Sequence, residues 1–261
     1  MKQWSVMLVA VAALALGGCD IDGEGWGSSN RYKEDFSQTH ALAPGGRLFL
    51  ENLNGSVEIL GWDKAEVEVT GTKYASRQEV MEAMQIEVVP SEGALRIRTI
   101  RPVERNCNCG AKYVLRVPRE VKLDRVETSN GSVRVEGVKG EARLRTSNGS
   151  LKVHDVAGPL EATTSNGSVE IMNYEGAATL KTSNGRIRGD GVKGRLDAST
   201  TNGSIDVTMT APEAGLPQKF TTSNGSVNVT LEKWANSGVV VRTTNSSINV
   251  RLPEGVNAQV E

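Results

Sequence analysis

The hexapeptide Thr128-Ser129-Asn130-Gly131-Ser132-Val133 is written repeatedly along the chain, and its spacing limits the folds open to it. Copies follow at 146–151, 164–169, 182–187, 200–205, 222–227 and 243–248. From Asn130 to Asn202 the step is 18 residues every time, and the steps on to Asn224 and Asn245 are 22 and 21. Asn52-Leu53-Asn54-Gly55-Ser56-Val57 is an outlying copy. A fixed period near 20 residues marks stacked units, none of which buries its apolar face alone.

Aligning the copies puts apolar side chains in register. Val126, Leu144, Ala162, Leu180, Ala198, Phe220 and Val241 precede the motif. Val133, Leu151, Val169, Ile187, Ile205, Val227 and Ile248 end it. Two residues on stand Val135, Val153, Ile171, Val207, Val229 and Val250, with Gly189 the exception, and Val138, Val156, Tyr174 and Val192 form a shorter fourth row. Spacing of two within a unit means strands with one buried face. The fold class is therefore mainly β, a parallel β-solenoid (a single-stranded β-helix) with rungs of 18–22 residues over 123–261. Asn-Gly also suits an antiparallel hairpin, so a hairpin meander is the structural alternative. The strict step favours the solenoid, and the apolar rows lack the six-residue recurrence of a hexapeptide helix. Stacking aligns Asn130, Asn148, Asn166, Asn184, Asn202, Asn224 and Asn245 into a structural turn ladder. Each motif glycine is expected to supply positive φ in its turn.

Residues 46–122 read as first rungs with a small N-terminal α/β cap. Arg47 to Glu51, Val57 to Leu60 and Glu66 to Val69 alternate as strands do, and 74–85 carries Tyr74, Val80, Met81 and Met84 at helical spacing. A hairpin around Pro90-Ser91-Glu92-Gly93 and a strand stopped by Pro118 complete the cap. At the other end, Pro253 is expected to blunt the final edge.

Residues 1–18 form a signal peptide: Lys2, an apolar run from Val6 to Leu16, then Leu16-Gly17-Gly18-Cys19. The run falls short of the about 20 residues that a ~30 Å hydrocarbon core requires. Its end resembles a bacterial lipobox, which implies cleavage before Cys19 and lipidation, palmitate included, of that residue. Asp20 beside it resembles an inner-membrane retention signal. Residues 19–45 are Gly/Ser-rich and acidic at their start and read as a flexible tether.

The Thr-Ser-Asn-Gly-Ser-Val repeats, the Gly61-Trp62-Asp63 turn and the Val117-Pro118-Arg119-Glu120 stop together resemble the bacterial putative-adhesin β-strand-repeat family, a domain class of unknown function. The resemblance covers Gly46 to Val260 and implies a β-helical protein of the cell envelope. Asn106-Cys107-Asn108-Cys109-Gly110 departs from that pattern.

Little in the sequence points to catalysis. A serine hydrolase places one His and one acid beside one nucleophile, whereas these serines recur at every rung. His40 and His154 have no evident partner, and the acids Glu136, Asp155, Glu170, Asp190 and Asp206 stand singly on outward positions. No catalytic residue, metal site or cofactor is assigned. Cys107 and Cys109 are open to a local disulfide, an intermolecular disulfide, or a redox or metal role. A net charge of −1 gives no basic field for nucleic acid. The expectation is a non-enzymatic envelope lipoprotein, anchored in the membrane through its lipid. It would serve as a rigid scaffold or adhesin-like module for an envelope polysaccharide or protein. A carbohydrate-active β-helix enzyme and a self-assembling structural protein are the alternatives.

Overall fold

The computed structural model describes residues 32–102, 108–234 and 238–256. The chain opens with strands β1 (Tyr32–Ala41), β2 (Arg47–Glu51), β3 (Val57–Trp62) and β4 (Glu66–Ala75), then helix α1 (Gln78–Ala83). Next come β5 (Gln85–Ser91), β6 (Ala94–Ile100), β7 (Cys109–Pro118), β8 (Lys122–Thr128) and β9 (Val133–Glu136). The middle rungs hold β10 (Ala142–Thr146), β11 (Leu151–His154), β12 (Leu160–Thr163), β13 (Val169–Met172), β14 (Glu175–Lys181) and β15 (Ile187–Ser199). The last are β16 (Ile205–Pro212), β17 (Gln218–Thr221), β18 (Val227–Leu231), β19 (Val239–Arg242) and β20 (Ile248–Arg251).

Every motif sits at the apex between two parallel stacks. The first stack runs β6, β2, β8, β10, β12, β14, the C-terminal half of β15, β17, β19. The second runs β7, β3, β9, β11, β13, the N-terminal half of β15, β16, β18, β20. All of these pairs are parallel, which establishes the solenoid over the meander. Single bridges Glu120–Lys139, Lys139–Ala157 and Ala157–Glu175 link the corners along a third side.

The predicted rows form the core: Val133, Leu151, Val169, Ile187, Ile205 and Val227 are buried, as are Val138, Val156, Tyr174 and Val192. Gly189 interrupts its row because Val192 fills the space; a Cβ there would lie 3.1 Å from Val192 Cγ2. A further row also lines the core: Leu123, Ala142, Leu160, Ala178 and Leu196, then Gln218. Gln218 is buried there because its Oε1 accepts from the Leu196 N–H at 2.7 Å.

The N-terminal end departs from the expected layout in three ways. The β2–β3 rung does not lie at the end of the stack. It is inserted between the β6–β7 level and the β8–β9 level, so the chain enters inside the rod and then wraps outward. Second, Tyr32–Ala41 is no tether but a strand, antiparallel to β4, which is itself antiparallel to β7. Its side chains are mostly exposed, so backbone pairing places it rather than apolar burial, apart from Phe36 edge-on to Tyr113 at 5.4 Å. Third, the helix is only Gln78–Ala83, because Tyr74 and Ala75 still pair with β1 and Gln85 already belongs to β5. The β5–β6 hairpin is present, and β7 ends at Pro118.

At the opposite end the described residues leave the last rung uncovered. Among the described residues no strand covers β19 or β20, and Ile248 and Val250 of the core rows are 47% and 37% exposed. The turn at Pro253 packs Leu252 against the core but leaves that edge open.

Candidate functional site

Two surfaces emerge from the stacking. One is the ridge of motif turns. Backbone bonds such as Asn148 N–H to Ser129 O and Asn166 N–H to Ser147 O, both 2.9 Å, lock each turn to its predecessor. Each asparagine then donates Nδ2 to the Oδ1 one rung back: Asn130 to Asn54 at 2.7 Å, Asn148 to Asn130 at 2.7 Å, Asn166 to Asn148 at 2.8 Å. Asn184, Asn202, Asn224 and Asn245 continue the ladder at 2.8, 2.7, 2.8 and 2.7 Å. Asn54 of the outlying copy is its first member and closes it by donating to Cys109 O at 2.8 Å.

The motif threonines from Thr128 to Thr222 are buried and Thr243 is half-buried, and their hydroxyls donate to the glycine carbonyl of the preceding rung. Thr146 reaches Gly131 O at 2.9 Å, Thr164 reaches Gly149 O at 2.9 Å and Thr182 reaches Gly167 O at 2.8 Å. Gly55 of the outlying copy takes positive φ as expected, but the glycine of the later copies has a different role. Gly131, Gly149, Gly167, Gly185, Gly203 and Gly225 are not among the positive-φ residues. A Cβ on Gly167 would instead stand 1.9 Å from Gly149 O, so close rung-to-rung approach demands glycine, not turn conformation.

The second surface is a shallow depression of about 450 Å³ on the outer face of the second stack, lined by Arg186, Arg188, Ser204, Asp206, Ser226 and Asn228. It forms where the repeat breaks, since Arg186 stands where other copies carry Ser. Arg186 Nε donates to Ser204 Oγ at 3.0 Å and lies 3.6 Å from Asp206 Oδ2. The Asp206 carboxylate also accepts from Ser204 Oγ at 3.1 Å and from Asn228 Nδ2 at 2.6 Å. Asp206 therefore does not stand singly, as the sequence suggests, but is engaged by Ser204, Asn228 and Arg186. The available signal was the single Arg in the serine column.

Other residues singled out by sequence remain apart. His40 lies on β1, its Nε2 3.1 Å from Gln38 Oε1, with its pKa lowered by burial. The Nε2 of His154, on β11, is buried with no hydrogen-bond partner. Among the described residues neither forms a hydrogen bond or ion pair with a nucleophile or an acid. Cys109 is buried beside Ala75, Val80, Met81 and Met84 and is disulfide-bonded, whereas Cys19 and Cys107 lie outside the described residues. Among the described residues no group of three or more His, Cys, Asp or Glu could hold a metal ion. The Gly61-Trp62-Asp63 turn is fixed by Trp62 Nε1 donating to Glu66 O at 2.8 Å and by Arg119 on Asp63 at 2.7 Å. That guanidinium holds the Asp63 carboxyl below its usual range.

A crystal structure named as a putative lipid binding protein from Parabacteroides distasonis is similar at 11% identity and a TM-score of 0.47, over 83% of this chain and 97% of that one. Another, named as a putative cell adhesion protein from Clostridium sporogenes, is similar at 12% identity and a TM-score of 0.27, over 84% and 100%. No curated protein matches the chain. The model of the family described as Toastrack DUF4097 matches residues 54–260, from the first ladder asparagine to beyond the last rung, and the chain belongs to that family.

Proposed function

We propose that this protein is a non-enzymatic binding module of the bacterial cell envelope. Lipid on Cys19 holds it at a membrane, the inner one if Asp20 acts as a retention signal. The rigid solenoid then presents its polar outer face to an envelope polysaccharide or protein. The observation that carries this reading is the state of Asp206. Glycoside hydrolysis uses two carboxyl groups, one of them free to move a proton. The depression holds one carboxylate, and Ser204, Asn228 and Arg186 all engage it. Such a surface suits holding a ligand through fixed polar and charged groups.

The test is a pull-down of the lipidated protein from native envelope fractions, with Cys19→Ala as control and polysaccharide, peptidoglycan and protein scored together. Enrichment of one intact component supports the reading. Shortened glycan products in the eluate would transfer it to a carbohydrate-active enzyme.

A second reading, self-assembly, draws on the last rung, which the described residues leave uncovered and where Ile248 is 47% exposed. Open strand edges template pairing with another chain. Sedimentation over a range of concentrations tests it. Association that disappears with Ile248→Lys supports assembly, and a monomer throughout opposes it.

A further inference from the structure

The depression at Arg186 does not end at Asn228. A second one shares Asp206 and Asn228 with it and continues to Asn249 and Arg251 on the last rung. Arg188, Asp206, Asn228 and Asn249 are successive register partners, so the two form one groove along the rod. Three strand spacings make the span from Arg188 to Asn249 roughly 14 Å. Guanidinium groups therefore stand at both ends of a polar trough.

Those groups are available. Arg186 uses Nε on Ser204 and Asp206, which fixes the plane of its guanidinium and leaves both Nη groups without a partner among the described residues. Arg188 and Arg251 form no ion pair or side-chain hydrogen bond among the described residues. Glu170 faces Arg188 from the preceding rung, yet the two make no ion pair. The lining thus sets three guanidiniums against one carboxylate, Asp206, which its neighbours already engage. Between the charges lie Ser, Thr and Asn side chains beside Val229, and the lining holds no aromatic ring for stacking.

Guanidinium forks match planar carboxylates through paired N–H donors. Hydroxyl and amide groups between them suit the hydroxyls of a sugar ring. The absence of stacking rings in the lining and a net charge of −1 argue against single-stranded nucleic acid as the anion. We infer that this groove binds an acidic glycan lying along the solenoid axis, its carboxylates held by Arg186 and Arg188 at one end and Arg251 at the other. The inference rests on the binding-module reading and names the ligand class and the face.

The experiment is calorimetric titration of the detergent-solubilised full chain with a uronate hexamer, a neutral glucan hexamer and a short polyphosphate. The variants are Arg186→Ser and Arg188→Asn. Each installs a residue that the same column carries at other rungs, Ser at 204 and Asn at 228, so the stacking is preserved. The uronate hexamer should bind, each variant should weaken it by about tenfold, and added salt should weaken it further. Uronate binding left unchanged by both variants overturns the site but keeps the module reading. Equal or tighter binding of the neutral glucan or the polyphosphate overturns the ligand class alone. If none of the three probes binds, the inference falls. The envelope pull-down then decides whether the module reading falls with it.

Discussion

Asn184 donates from Nδ2 to Oδ1 of Asn166 at 2.8 Å, and Asn166 passes the same bond on to Asn148 at 2.8 Å. Asn166 is thus donor and acceptor at once. Asn245 donates to Asn224 at 2.7 Å but accepts from no described residue. Removing Asn166 breaks two side-chain bonds, and removing Asn245 breaks one. At about 1 kcal/mol per bond, less where solvent competes at this exposed ridge, Asn166→Ala should lower stability roughly twice as much as Asn245→Ala. Thermal melts of the two variants check this, and equal shifts would falsify a cooperative ladder.

That ladder is legible in the sequence, because a step of 18 residues and an Asn in every copy leave stacking as the natural arrangement. The apolar rows were legible for the same reason. Stack order was not. Nothing in the residues from 47 to 62 says that they lie between 94–118 and 122–136, since insertion into a stack depends on pairing rather than periodicity. Strand β1 was hidden by its polarity, with exposed Lys33, Glu34 and Asp35 where a buried face would alternate. The groove was legible only in part, as one Arg in a column of serines. Its meaning needed Ser204, Asp206 and Asn228 brought alongside from later rungs.

Two different demands make a position require glycine. Gly167 has ordinary backbone angles, but a Cβ would meet Gly149 O at 1.9 Å, backbone that cannot rotate away. Gly215 is the reverse, with φ +74° and open space around it. Gly167→Ala must force two rungs apart and should cost about 3 kcal/mol or prevent folding. Gly215→Ala should cost about 1 kcal/mol, the strain of a left-handed residue. Urea unfolding of both variants tests this contrast, and similar midpoints would remove close approach as the reason for the glycine.

Thr164 is buried, and its hydroxyl donates to Gly149 O at 2.9 Å. Valine keeps the shape and deletes the donor, leaving a buried carbonyl short of a partner. Thr164→Val should therefore destabilise by about 1–3 kcal/mol. Thr164→Ser keeps the hydroxyl and should lose less. Chemical denaturation of the pair decides it: a valine variant as stable as wild type would mean that the carbonyl finds another donor.

Tyr113 carries the last prediction, because its phenol is buried under the cap and its proton is linked to folding. Burial pushes its pKa up to about 12, opposed by the bond with Thr99 Oγ1 at 2.6 Å. An unfolded tyrosine titrates near 10. The folded state thus favours the neutral phenol, and this contribution is complete below pH 10 and lost as pH rises from about 10 to about 12. Stability should fall across that window by on the order of 2 kcal/mol from this group. Tyr174, also raised by burial, adds to the fall in the same direction. Tyr113→Phe should be less stable at neutral pH, having lost the Thr99 bond, yet decline more gently above pH 10. Urea midpoints at pH 8 and pH 11 for both proteins give the comparison. Parallel declines would mean that the Tyr113 phenolate is reached by water without unfolding, and that the cap opens locally before the rod does.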